Sequence, residues 1–260
     1  MRTLIAVMAA MALSACAQEN AAPAAVETAP PELAPATLPI TDQAGNRMEA
    51  MNAIGERFCR VEGGWCVNSQ ANGIVADHQG RSTSITWPAN ENQTSAPWPN
   101  VIVSGDTALV GAIITENQMY SGGSARVDHL VLFEVNSGAA REVLRLPYAS
   151  EISIRACFDE DDVQARAEAC LDEYVFVSRV RIDESGASGP PAIVLETAAA
   201  SYPGRISRTT DSAERGPLTQ ADLVWTTDDV CSYRRTFSRG PTGSYTPDTE
   251  LPACADYLEP

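Results

Sequence analysis

From Arg57 to the end of the chain, apolar residues come in short bursts separated by Gly, Pro and Asn, a pattern that predicts strands joined by turns. The stretch Ser84-Ile85-Thr86-Trp87, the stretch Val101-Ile102-Val103 and the run 107–115 are rich in β-branched residues. Segment 126–135 (RVDHLVLFEV), the turn Asn136-Ser137-Gly138 and segment 141–146 predict a hairpin. In 173–183 (EYVFVSRVRID), strict alternation puts Tyr174, Phe176, Val180 and Ile182 on one face. Glu184-Ser185-Gly186 then leads into 192–198, a second hairpin of similar plan, and segments 221–226 and 230–237 predict a third.

One helix is expected near 160–171, where Val163, Ala167, Cys170 and Leu171 recur at helical spacing. Asp159 is placed to cap it, and Glu160, Asp161 and Asp162 fall in its first turn, where the helix dipole favours anions. A second short helix is expected over 45–55 (GNRMEAMNAIG). The fold class is therefore mainly β, with antiparallel hairpins in a β-sandwich and the helix covering one end. The competing arrangement is a small propeller-like array, because a strand–SGA–strand pattern nearly recurs at 137–139 and 185–187.

The first 16 residues carry an address. Arg2 precedes an apolar run over 4–13, too short for a span of ~20 residues but suited to the core of a secretory signal. The run closes on Leu13-Ser14-Ala15-Cys16, which resembles the lipobox of bacterial lipoproteins. That resemblance implies cleavage before Cys16 and acylation of Cys16, so that acyl chains hold the protein on a membrane durably. Ala17, rather than Asp, follows the cysteine, which by the same resemblance implies the outer membrane, with the body facing the periplasm. Three regions follow: a signal peptide over 1–15, an acylated, Ala/Pro/Glu-rich tether over 16–50, and a β-rich body over 51–260. A partly extended tether over 17–40 would reach between ~30 and ~75 Å.

With Cys16 carrying lipid, the odd count of seven cysteines becomes six, an even set as expected in an oxidising compartment. They form three local couples. Cys59 and Cys66 flank the turn signal Glu62-Gly63-Gly64, Cys157 and Cys170 bracket the helical segment, and Cys231 and Cys254 bracket the last hairpin. This pairing is the first choice among fifteen connectivities. In the loop-entropy model each bridge contributes roughly 2.5–3.5 kcal/mol. No C-x2-C occurs, and zinc is not expected.

Charge narrows the partners. Loss of Arg2 with the leader leaves 17 Arg against 34 acids, a balance of −17. Such a body repels phosphate backbones and excludes nucleic acid, while attracting cationic proteins. The chain has no Lys, which excludes a Schiff-base lysine, a P-loop lysine and a Ser-Lys dyad. Only His78 and His129 are present, so no His-rich metal centre exists, and nothing calls for a cofactor.

Three constellations bear on chemistry. The run Asp159–Asp162 fails the EF-hand pattern, since Val163 and Gln164 stand where a ligand and Gly are needed, and helix-start acids explain it. Ser124, Asp128 and His129 could suggest a triad, but on one strand Asp128 and His129 point to opposite faces, so they do not converge. Trp87-Pro88 and Trp98-Pro99 bracket a polar loop over 87–100; Trp87, Trp98 and, with them, Tyr120 are the candidate ligand contacts, suited to stacking on a glycan or a partner protein. No catalytic set emerges. The expected role is a non-enzymatic, lipid-anchored binding or scaffolding protein of the periplasm. One alternative is an acidic inhibitor of a cationic protein such as lysozyme, similar in charge and address to lipid-anchored β-domains that block lysozymes. The other is an envelope hydrolase whose carboxylate pair a single sequence does not reveal.

Overall fold

A computed structural model describes residues 29–88, 90–209 and 216–260; the signal peptide, Cys16 and the first part of the tether lie outside the described residues. The elements run β1 (Ile40–Thr41), β2 (Arg47–Ile54), β3 (Arg57–Arg60), β4 (Trp65–Gln70), β5 (Gly73–His78), β6 (Arg81–Thr86), β7 (Gln93–Ser104) and β8 (Thr107–Tyr120). They continue with β9 (Gly123–Asn136), β10 (Ala139–Arg155), α1 (Glu160–Ala165), β11 (Leu171–Ile182), β12 (Ile193–Tyr202), β13 (Thr226–Thr227), β14 (Arg234–Arg239), β15 (Tyr245–Pro247) and α2 (Ala255–Leu258). All 15 strands belong to one open antiparallel sheet; thirteen follow the order β15-β14-β12-β11-β10-β9-β8-β7-β2-β3-β4-β5-β6, while β1 pairs with β2 and β13 with β12 beside that path. The protein is thus mainly β, built from antiparallel hairpins with two short helices among the described residues.

Changes of partner along β2 and β10 turn this one sheet into stacked layers. The first half of β2 (47–50) pairs with β7 and its second half (51–54) with β3. β10 pairs with β9 along nearly all of its length, but with β11 only over 149–155. At the point of departure Tyr148 is an extra residue opposite β9, between the pairs Pro147–His129 and Ala149–Asp128. A bulge of this kind bends the strand and sends its continuation into a second layer.

The middle layer, β7–β9 with the first half of β10, is therefore covered on both faces. On one face Ile102, Leu109, Leu130, Leu132, Leu144 and Leu146 pack against Val180, Ile182, Ile193, Leu195 and Phe237 of the C-terminal layer. On the other, Val101, Val110, Ala112, Ile114, Val131 and Phe133 pack against Trp65, Val67, Ile74 and Ile85 of the β3–β6 layer. A third cluster at the far end of β9–β12 joins Ile152, Tyr174 and Phe176 to Tyr257 of α2. The rim between the middle and C-terminal layers is closed by Glu134, which pairs with Arg141 and Arg239. The face-to-face layers realise the sandwich arrangement, with the β3–β6 layer added outside it.

The three expected cysteine pairs are at bonding distance. Cys59 and Cys66 face each other across β3–β4, Cys157–Cys170 closes the α1 loop, and Cys231–Cys254 ties the chain before β14 to the segment carrying α2. α1 begins as expected, with the Asp159 carboxylate accepting from the Asp162 amide. It ends at Ala165, short of Leu171. Glu168 N–H donates to the Val163 carbonyl and Ala167 N–H to that of Gln164, with Ala167 in the left-handed region at φ 49°. This is a Schellman stop with Ala where Gly is usual, which removes the customary signal.

Several expectations need correction. Residues 45–55 form no helix; Arg47–Ile54 is β2, whose Met48 enters the core on one side of the sheet and Met51 the core on the other. The tether does not extend to 50, because β1 starts at Ile40, Ala36 and Leu38 pack on the core, and Arg179 donates to the Ala34 carbonyl. The segments 221–226 and 230–237 do not pair as a hairpin. β13 and β14 both pair with β12, and the hairpin partner of β14 is β15.

Candidate functional site

The predicted loop 87–100 is shorter than expected, since β7 already starts at Gln93. This splits the two Trp-Pro pairs. Pro97 still pairs, opposite Ala112, and pairing resumes at Val101 opposite Val110, leaving two extra residues on β7. That irregularity accommodates the prolines, which cannot sit in a regular central ladder. It also turns Trp98 inward over Gly111, where an added Cβ would lie 2.7 Å from Trp98 Cβ. Trp98 is 1% exposed, belongs to the core and does not line the cleft at Trp87. Tyr120 is partly exposed at the tip of the β8–β9 hairpin. Six residues beyond Ile114 on its strand, it lies about 20 Å from the Trp87 region.

Trp87 itself sits where the chain leaves β6 for β7, half-buried and stacked on Phe133 at 6.1 Å between ring centroids. An open cleft of about 660 Å³ lies there, lined by Trp87, Pro88, Asn90, Glu91, Asn92, Gln93, Ile114 and Arg145. Gln93 is fixed by donating to the Glu116 carboxylate at 2.6 Å, and Arg145 donates through Nε and Nη2 to the two oxygens of Glu142, each at 3.2 Å. Asn90 holds the loop by accepting from the Asn92 amide. The cleft thus offers an indole, several amides, one guanidinium and one carboxylate around an apolar floor. Such a set can stack on and hydrogen-bond to a polar ring-bearing ligand.

Register pairing places His129 beside Ile114, and burial pushes its pKa below the ordinary value, which favours the neutral ring at neutral pH. Ser124 pairs with Met119 and Ser153, five residues from His129 along β9 and on the opposite face. Asp128, on the face opposite His129, accepts from Thr115 Oγ1 at 2.6 Å and from Arg126. The three residues do not meet. The Asp159–Asp162 run forms the start of α1, and no group of three or more His, Cys, Asp or Glu is arranged to hold a metal among the described residues. No helix among them is long and apolar enough to cross a membrane.

A second concavity escaped the sequence. A cleft of about 450 Å³ near the β8–β9 hairpin tip is lined by residues of β8–β11 together with Pro30 and Trp225. Trp225 lies in the short apolar stretch Leu223-Val224-Trp225, which reads as strand, and nothing in its spacing sets it apart. No protein-family model, curated protein or solved structure matches this chain.

Proposed function

We propose that this protein is a lipid-anchored, non-enzymatic binding body of the bacterial cell envelope, which holds a polar, ring-bearing ligand such as a glycan against Trp87. The observation that carries the reading is the open Trp87 cleft, with its indole stacked on Phe133 and its rim of amides, Arg145 and Glu91. Three bonded cysteine pairs support an oxidising compartment, and the lipobox resemblance at Cys16 supports an anchor through acyl chains. Outer-membrane residence with the body in the periplasm follows from Ala17 in the same resemblance. The test is a titration of intrinsic fluorescence with peptidoglycan fragments. The expected result is a saturable change in the native protein that is lost in Trp87→Phe. An unchanged signal with every glycan fragment, or an equal response in Trp87→Phe, would overturn the assignment.

A further inference from the structure

The second cleft has a chemistry of its own. Antiparallel register lays two rows of side chains on one face of β8–β12. One row is Asn117, Arg126, Glu151 and Val175, and the next is Met119, Ser124, Ser153, Glu173 and Tyr202. Trp225 packs its ring on Tyr202 at 5.6 Å and forms a wall of the cleft, half-buried with room beside it. Arg126 is the cleft's own cation, and it is engaged by Asp128, through Nε at 3.3 Å and Nη2 at 3.1 Å. Glu151 and Glu173 line the same cavity; Glu151 stands opposite Arg126 in the ladder and helps to raise its pKa, but the guanidinium's ion pair is with Asp128. Met119 is 82% exposed at the edge of this cleft. An indole face, a thioether and two carboxylates around a cavity of about 450 Å³ form a receptor for positive charge carried on an apolar stem.

We propose that this cleft binds an organic ammonium group, stacked on Trp225 and paired with Glu151 and Glu173, with its alkyl stem against Met119 and Val175. This site is separate from the Trp87 cleft and does not depend on the ligand proposed there. The ammonium can belong to a free amine or to a lysine side chain of a peptide, and the two sources are separable by experiment. The full mature chain is titrated by calorimetry with cadaverine, with the blocked tripeptide Gly-Lys-Gly, and with diacetylated cadaverine as the neutral comparator. The expected result is saturable binding of a charged probe and none of the neutral one. Binding of cadaverine alone assigns the site to small amines, and binding of the tripeptide alone assigns it to a displayed lysine. The affinity is expected to fall at least about fivefold in E151Q and again in the E151Q/E173Q pair. W225F is expected to weaken binding less than W225A, since the smaller ring keeps part of the stacking. Should W225A fail to fold, the E151Q/E173Q pair, which alters only partly or fully exposed side chains, carries the test. Absence of binding by both charged probes up to about 10 mM, or full retention of it in E151Q/E173Q, overturns the proposal.

Discussion

The middle layer and the arm that follows β12 are held by different physics. In β8 and β9 almost every position from Ala108 to Thr115 and from Leu130 to Val135 is buried, because a layer of sheet covers each face. The arm from Pro203 to Tyr233 has little regular structure among its described residues, yet it is tied at many points. Thr219 and Asp222 form a capping box, the Gly204 amide donates to the Asp222 carbonyl, Leu218 donates to Ala165, and Arg208 reaches the carbonyls of Ala255, Asp256 and Glu259. Cys231–Cys254 then fastens its end to α2. Buried apolar area holds the first region, and local polar ties with one covalent bond hold the second. A core lesion should therefore lower global stability, whereas cutting a tie should loosen the arm first.

The largest expected effect is in the middle layer. Leu132→Ala should cost about 2–5 kcal/mol in a urea titration, because the side chain is fully buried between layers that cannot both collapse onto the gap. Removing the Cys231–Cys254 bridge by a double Ser substitution should cost about 3 kcal/mol for a separation of 23 residues. Hydrogen exchange would sharpen the contrast here: protection should fall over 203–233 while β8 and β9 keep theirs. Equal loss in both regions would mean that the arm and the middle layer unfold as one unit.

Gly111→Ala comes next, at about 1–3 kcal/mol, because its new methyl would press on Trp98 in a filled core. The smallest effect concerns charge. Burial raises the pKa of the Glu134 carboxyl, but hydrogen bonds and charge from Arg239 and Arg141 outweigh it and leave it below the ordinary value of 4.5. Its contribution is then fully present above pH 4.5 and lost as pH falls through the lower folded value. Glu134→Gln should flatten the acid limb of a melting-temperature profile, by no more than about 1 kcal/mol. A profile identical to that of the native protein would remove this rim from the account.

How legible the molecule is in its sequence follows the same division. Where one face is covered and the other is open, as at Tyr174, Phe176, Val180 and Ile182, alternation betrays the strand and its inward face. Local cysteine couples likewise announce their partners, because short separations leave few geometries. β2 was illegible for a physical reason. Met48 serves one core and Met51 another, and the resulting interval of three mimics a helix. The two Trp-Pro pairs look alike on paper. Only the irregularity between Pro97 and Val101, and a glycine on the neighbouring strand, send one ring into the core and leave the other at a cleft. Trp225 gains its role from Glu151 and Glu173, which are more than fifty residues away in the chain, and no spacing rule reaches that far.

The claim beneath all of this is an exported body, pinned by lipid and locked by three sulfur bridges. Intact-mass analysis of the native protein extracted from envelopes with detergent tests it most directly. The account predicts a chain beginning at Cys16, heavier by a diacylglyceryl group and a further acyl chain, and lighter by the six hydrogens of three disulfides. A chain that still carries residues 1–15, an unmodified Cys16, or thiols free to alkylate at the other six positions would contradict it.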